Sequence, residues 1–408
     1  MFRRIIKYSN KHFSLFKKLA YISDRRIKPQ IETIKIAAAI VCIHMANLGS
    51  LNNLSQSPGY GSFPSVSTIA RVADCMELEN IRDVGAGVYK MARKQKMLSP
   101  YCGMWIGIVD GQEITVSDFC KCSHCKRRNV SKIEGVVKYQ YYHQFTAFIL
   151  AGPGFSFTLD IEPIAPGESE VTSSYRLLER VCRDYPKAFS VVIGDGLYLY
   201  EKIFKILESH NKYAIAVLKE ERRQLFEEAN KLSLLAEPET YKEDRTTYRV
   251  WDHAISDCWD GYGKKVRVIV SEEVTKSRVH ARDGKGWEEK VEASNWMWAT
   301  NLSNTDKETN SIGDLKNTVK VCHARWHIEN RCFNETVNTW KADHIYRHST
   351  NAIIVFLLLL FICVNIFNIF SNRNIKDRTI KTKLHLIERI KAEFYSLKRP
   401  IPPVPIPI

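Results

Sequence analysis

The order of apolar runs between residues 104 and 218 restricts this chain to very few folds. Met104–Val109 reads as a compact strand. Tyr139–Leu150 and Phe155–Ile164 read as two more, joined by the turn Ala151-Gly152-Pro153-Gly154. Glu170–Tyr185 then carries helical periodicity, with Val171, Tyr175, Leu178, Val181 and Cys182 on one side. Phe189–Ile193 is a buried strand, Tyr198–Ser209 a helix and Tyr213–Leu218 a further strand. Three strands, helix, strand, helix, strand describes an α/β sheet whose helices serve as crossovers.

That is the element order of the RNase H-like fold, and it gives meaning to two aspartates. Asp110 ends the first strand in Gly107-Ile108-Val109-Asp110-Gly111, and Asp195 ends the fourth in Ile193-Gly194-Asp195-Gly196. Either one alone is an ordinary strand-end turn, where Asp and Gly are favoured. In an RNase H-like sheet, however, those two strands lie side by side. Their ends then present two carboxylates at a spacing that binds a pair of Mg²⁺ or Mn²⁺ ions for attack on a phosphodiester.

A third acid is expected from a helix further on. Residues 220–310 change texture: charged residues alternate with short strand-like runs such as Lys265–Ser271 and Trp296–Thr300, and tryptophans cluster. We read them as a β-rich insertion dividing the catalytic core into residues 100–219 and 311–372. Helical signal returns at Asp314 and runs through Trp340. Within it Arg325 and Glu329 stand at i and i+4 on one face. The bland account is an intrahelical ion pair; the functional one gives Glu329 to the metal site and Arg325 to a phosphate.

Arg325-Trp326-x-Ile328-Glu329-Asn330, Phe333 and Asn338-x-Trp340-Lys341-x-Asp343-His344 resemble the signature around the catalytic Glu of bacterial insertion-sequence DDE transposases. Val109-Asp110-Gly111-Gln112-Glu113, Pro166-Gly167-Glu168-Ser169-Glu170 and Asp195-Gly196-Leu197-Tyr198 match upstream, so the resemblance covers about residues 100–350. It implies Asp110, Asp195 and Glu329 as the metal-binding triad, with hydrolytic nicking followed by 3′-hydroxyl strand transfer. It also implies double-stranded DNA, both transposon ends and target, as partner and a homodimer on that DNA. The chain departs from the pattern Tyr-x₂-Arg-x₃-Glu-x₆-Lys common in such enzymes: Cys322 holds the Tyr position and Thr336 the Lys position. Lys341, further along, is a substitute contact to the DNA backbone. A nuclease that cuts without joining, or an inactive DNA-binding relative, fits the same residues.

A net charge of +15 and a pI near 9.2 agree with a polyanionic partner. Residues 1–99 read as helical and basic, either a DNA-end-binding module or a helical extension packed on the main domain. There Ile31–Met45 is an apolar helix, Ser65 to Thr68 caps a helix over Ile69–Cys75, and Asn80–Lys96 forms another. Eleven cysteines, an odd number, and a basic Met1–Ala20 without an apolar core suggest a reducing compartment, the cytoplasm and its nucleoid. Residues 373–408 read as a basic helix and a Pro-rich extended tail.

Cys120-Lys121-Cys122-Ser123-His124-Cys125 precedes Lys126-Arg127-Arg128, and Cys122-x₂-Cys125 has knuckle spacing for structural Zn²⁺. With no second CxxC pair, a complete site must recruit Cys120, His124 or His143. The competing account is a basic loop, Arg127 and Arg128 included, that touches DNA without metal. Trp298 is a candidate to stack on a base. His323, His327, His344 and His348 read as DNA-facing or structural, not as ligands. Glu113, Asp118, Glu168 and Glu170 read as surface or supporting acids, Glu170 as a first-turn cap. Ala352–Val364 is unbroken apolar, prolonged to Phe370 and interrupted by Asn365 and Asn368 on one face. The run falls short of the roughly 20 residues of a membrane span and reads as a buried core helix.

Overall fold

Thr350–Asn374 forms one 25-residue helix, N-capped by Ser349, whose hydroxyl accepts from the Ala352 amide. A helix apolar on every side has to be wrapped on every side, and each residue from Ala352 to Phe370 is buried. This is a core helix, as its interrupted composition suggests. The computed structural model describes residues 1–58, 61, 63–133, 136–220, 223–255, 259, 261–280, 286–302, 315–376, 379–380 and 382–397. The expected Pro-rich tail, Arg399–Ile408, lies outside them, as does Asp314. The architecture is mixed α/β, a large mixed sheet flanked by helices.

Two compact units share the chain: residues 1–99, 110–185 and 327–408 in the first, and 100–109 and 186–326 in the second. In the first unit the core helix packs against Thr33–Met45 and Leu78–Lys94 and against a β-meander. Thr33–Met45 is the expected apolar helix. Ser65 caps as expected, but one turn earlier: its hydroxyl accepts from the Thr68 amide at 3.3 Å and the helix spans Val66–Ala73.

The meander comprises β2 (Lys126–Ile133), β3 (Val136–Ala151) and β4 (Ser156–Pro163), with β3 antiparallel to both neighbours. The sequence reading missed β2, a highly charged stretch whose extended form comes from pairing with β3 and not from its own propensity. β1 (Ile106–Ser117) is also longer than expected, running seven residues past Asp110. The Asp110-Gly111 pair resembles a turn, and Thr115, at φ 58, breaks the alternation that would reveal a continuing strand. Glu170–Asp184 is a helix N-capped by Ser169, whose hydroxyl accepts from the Thr172 amide at 3.1 Å, with Glu170 as the expected acid of its first turn. Its Arg176 and Arg180 meet Glu162 and Asp160, buried acids on β4, at 2.5–2.8 Å.

In the second unit, the start of β1 pairs in parallel with β5 (Val191–Gly194), and β5 in parallel with β6 (Tyr213–Val217). Glu201–Ser209 is the crossover helix. The β-rich segment continues this sheet: β10 (Trp287–Thr300) pairs antiparallel with β6, followed by β9 (Val266–His280), β8 (Thr246–Ile255) and β7 (Glu239–Glu243). It also contains a helix, Arg223–Leu235. The expected side-by-side placement of the two aspartate strands holds, with Ile106, Gly107 and Ile108 facing Val191, Val192 and Ile193, although the unforeseen β2 makes the second of them the fifth strand and not the fourth.

Candidate functional site

Asp110 lies inside β1, not at its end, and its Oδ1 accepts from the Gly111 amide at 2.9 Å. A side chain at position 111 would run into the carboxylate of Glu170, which instead accepts from Gln144 Nε2 at 3.2 Å. Asp195 follows β5 directly and caps a short 3₁₀ turn, Gly196–Tyr198, its Oδ1 accepting from the Leu197 amide at 2.8 Å. Gly194 is required beside it because a Cβ there would strike the buried ring of Tyr198. Each aspartate thus stands two residues beyond a residue of the register pair Ile108↔Ile193.

The expected helix from 314 to 340 is broken. Leu315–His323 ends in a turn containing Arg325, Trp326–Ile328 follows, and Glu329 opens a π-helical turn, Glu329–Phe333, before Asn334–Asn338. Arg325 and Glu329 therefore do not share a continuous helical face. The Arg325 guanidinium lies 4.2 Å over the Trp326 ring. No Gly or Pro announces the break, and π-turns inside helices recur at functional sites. Asp110 and Glu329 belong to the first unit, Asp195 and Arg325 to the second.

Trp298 cannot stack on a base. It is 1% exposed, parallel to Trp296 at 6.1 Å and edge-on to His323 at 5.0 Å. His323 in turn meets Glu273 at 2.7 Å, a structural role. Lys341 is exposed, with φ 56, and donates to the Asn338 carbonyl. Arg127 and Arg128 are exposed on β2 and lie over Tyr139 and Tyr142, at 5.1 and 5.0 Å; Lys121 lies 5.8 Å over Tyr141. The acids nearby are committed to partners: Glu113 to Arg128, Asp118 to Lys138, Glu168 to Arg176.

The best-formed constellation is the cysteine cluster, with a membership the sequence reading did not foresee. Cys122, Cys125, His143 and His348 bring one ligand atom each to within 4.8 Å of one another. Cys120 is exposed and His124 points its Nδ1 at the Ser123 hydroxyl, so neither belongs. His348 does, although the sequence reading did not count it among the candidate ligands. Burial pushes the Cys125 thiol above its usual range and holds His143 down to about 4, the neighbouring His348 adding to the effect. Loss of hydration likewise lowers His348.

No protein-family model matches this chain, and no curated protein matches it.

Proposed function

We propose that the chain is a DNA transposase of the DDE type, cutting phosphodiesters at transposon ends and joining the freed 3′-hydroxyl to target DNA. The observation that carries this reading is the parallel β1–β5 pair, with an aspartate two residues past each member of Ile108↔Ile193. Asp110, Asp195 and Glu329 are hard oxygen donors, the chemistry suited to Mg²⁺ or Mn²⁺. Two such ions would supply activation of the attacking oxygen and stabilisation of the leaving one. The chain's own part is to hold these carboxylates on a strand, a strand end and a π-turn. Arg325 and Lys341 offer cations to the DNA backbone, and a net charge of +15 favours double-stranded DNA as the partner. The reading places the protein at the nucleoid in the cytoplasm, acting as a homodimer that holds two ends.

The test is strand transfer with a pre-cut end taken from inverted repeats flanking the gene, in Mg²⁺ or Mn²⁺. Joined product is expected from the wild type. Asp110→Ala, Asp195→Ala and Glu329→Ala should each abolish cleavage and joining while leaving DNA binding. Cleavage without joining would reduce the protein to a nuclease; equal activity in all three variants would refute the site.

A further inference from the structure

Of the six distances among the four ligand atoms of the cysteine cluster, five are short, and the sixth, Cys122 to His348, is within 4.8 Å. Cys122 Sγ and Cys125 Sγ are 3.7 Å apart. The sulfur–nitrogen edges are 3.5 Å (Cys122 to His143 Nε2), 3.4 Å (Cys125 to His143 Nε2) and 3.2 Å (Cys125 to His348 Nε2). The two Nε2 atoms are 3.2 Å apart. A regular tetrahedron with Zn–S of about 2.3 Å and Zn–N of about 2.05 Å has edges of about 3.8 Å for S···S, about 3.6 Å for S···N and about 3.3 Å for N···N. The five observed edges lie within about 0.4 Å of those lengths. A disulfide is a different arrangement, since its sulfurs are about 2.05 Å apart.

We propose that Cys122, Cys125, His143 and His348 form a closed structural Zn²⁺ site. Two thiolates and two imidazoles are the soft and borderline donors that select zinc over Mg²⁺. Four protein ligands leave no open position, which assigns the ion to structure and not to catalysis. Binding releases the two thiol protons to solvent. The surroundings are built for the role. Cys122 and Cys125 close a tight turn, the Cys125 amide donating to the Cys122 carbonyl at 3.2 Å and the Cys122 amide donating to the Cys125 sulfur at 3.3 Å. His143 stands on β3 and is buried. His348 is held from both sides: Arg347 and Ser349 bond to Asp74, and Asn351 donates to the Ala73 and Met76 carbonyls at 3.0 Å. Cys125 and His348 are 223 residues apart in sequence. One ion therefore ties the link between β1 and β2, strand β3 and the entrance to the core helix. The link it fastens leads into Arg127 and Arg128, so the ion also holds the basic hairpin.

The experiment is metal analysis of the full chain as purified, followed by replacement of the metal with Co²⁺. One zinc per chain is expected. The cobalt form should show a thiolate-to-metal charge-transfer band and the intense visible bands of tetrahedral coordination. Cys122→Ser and His348→Ala should each weaken metal binding at least tenfold, while Cys120→Ser and Asp110→Ala keep the wild-type cobalt spectrum. Substoichiometric zinc with no tetrahedral cobalt spectrum in the wild type overturns the site, and needs no variant to fold. Unchanged spectra in His348→Ala, or their loss in Cys120→Ser, overturn the assigned ligand set. Because Asp110 is not a ligand here, this proposal and the transposase reading fail separately.

Discussion

Asn365 and Asn368 sit three residues apart on the core helix, both buried, yet they answer to different physics. The Asn365 amide completes the backbone of β4: its Oδ1 accepts from the Thr158 amide at 2.9 Å and its Nδ2 donates to the Thr158 carbonyl at 2.7 Å. The side chain thus supplies what a further strand would have supplied at that residue. Asn368 finds no partner for either amide atom among the described residues. An unmade buried hydrogen bond costs about 1–3 kcal/mol per group, whereas replacing an unpartnered polar group by an apolar one relieves such a cost. Asn365→Leu should therefore lower stability by about 2–4 kcal/mol, and Asn368→Leu should leave it unchanged or raise it by about 1 kcal/mol. Urea midpoints of the two variants decide it; equal losses would mean the Thr158 contacts contribute nothing.

Among the elements, the β2–β3 hairpin is the one through which the proposed DNA contact is tested. A two-stranded ribbon fits a major groove, and this one carries exposed Arg127 and Arg128 on tyrosine faces, which hold each guanidinium while its outer edge stays wet. Arg128 also pairs with Glu113 at 2.9 Å, so Arg127 is the freer of the two for phosphate. Replacing both with Ala should weaken DNA binding about equally across sequences and flatten log K against log salt by about two. An unchanged slope would remove the hairpin from the interface. This element also shows where sequence reading stops. Val191–Gly194, Tyr213–Val217 and Thr350–Asn374 were legible because burial on both faces or all round leaves a continuous apolar run. β2 carries no such run, since its partner β3 does the work. The break at Arg325 leaves no Gly or Pro. His348 joins Cys125 only through tertiary packing, and no spacing rule reaches across 223 residues. The CxxC pair and His143 were visible as ligands; the fourth corner was not.

At the scale of the whole chain, the net charge of +15 is distinct from the groups that govern its stability. One of the latter is His44, in the apolar helix Thr33–Met45, with both ring nitrogens sealed from solvent and the rings of Tyr346 and Phe356 edge-on at 5.6 and 6.2 Å. Loss of hydration holds it down to about 3, against an ordinary value of 6.5, with a backbone hydrogen bond to Phe356 working the other way. The sign follows from proton counting. Between these two values the unfolded chain binds a proton that the folded chain refuses, so stability is full above about pH 6.5 and is lost as pH falls toward 3. At 1.36 kcal/mol per unit of pKa, going from pH 7 to pH 5 should cost about 2 kcal/mol through this residue alone. His44→Leu has no proton to take up, so its urea midpoint should fall less between those pH values than that of the wild type. The comparison is made with zinc present throughout, because His143 and His348 are proposed ligands whose own proton uptake is common to both proteins and cancels in the difference. Parallel pH profiles for wild type and variant would show that His44 binds its proton equally in the folded and unfolded chains and that acid sensitivity lies elsewhere.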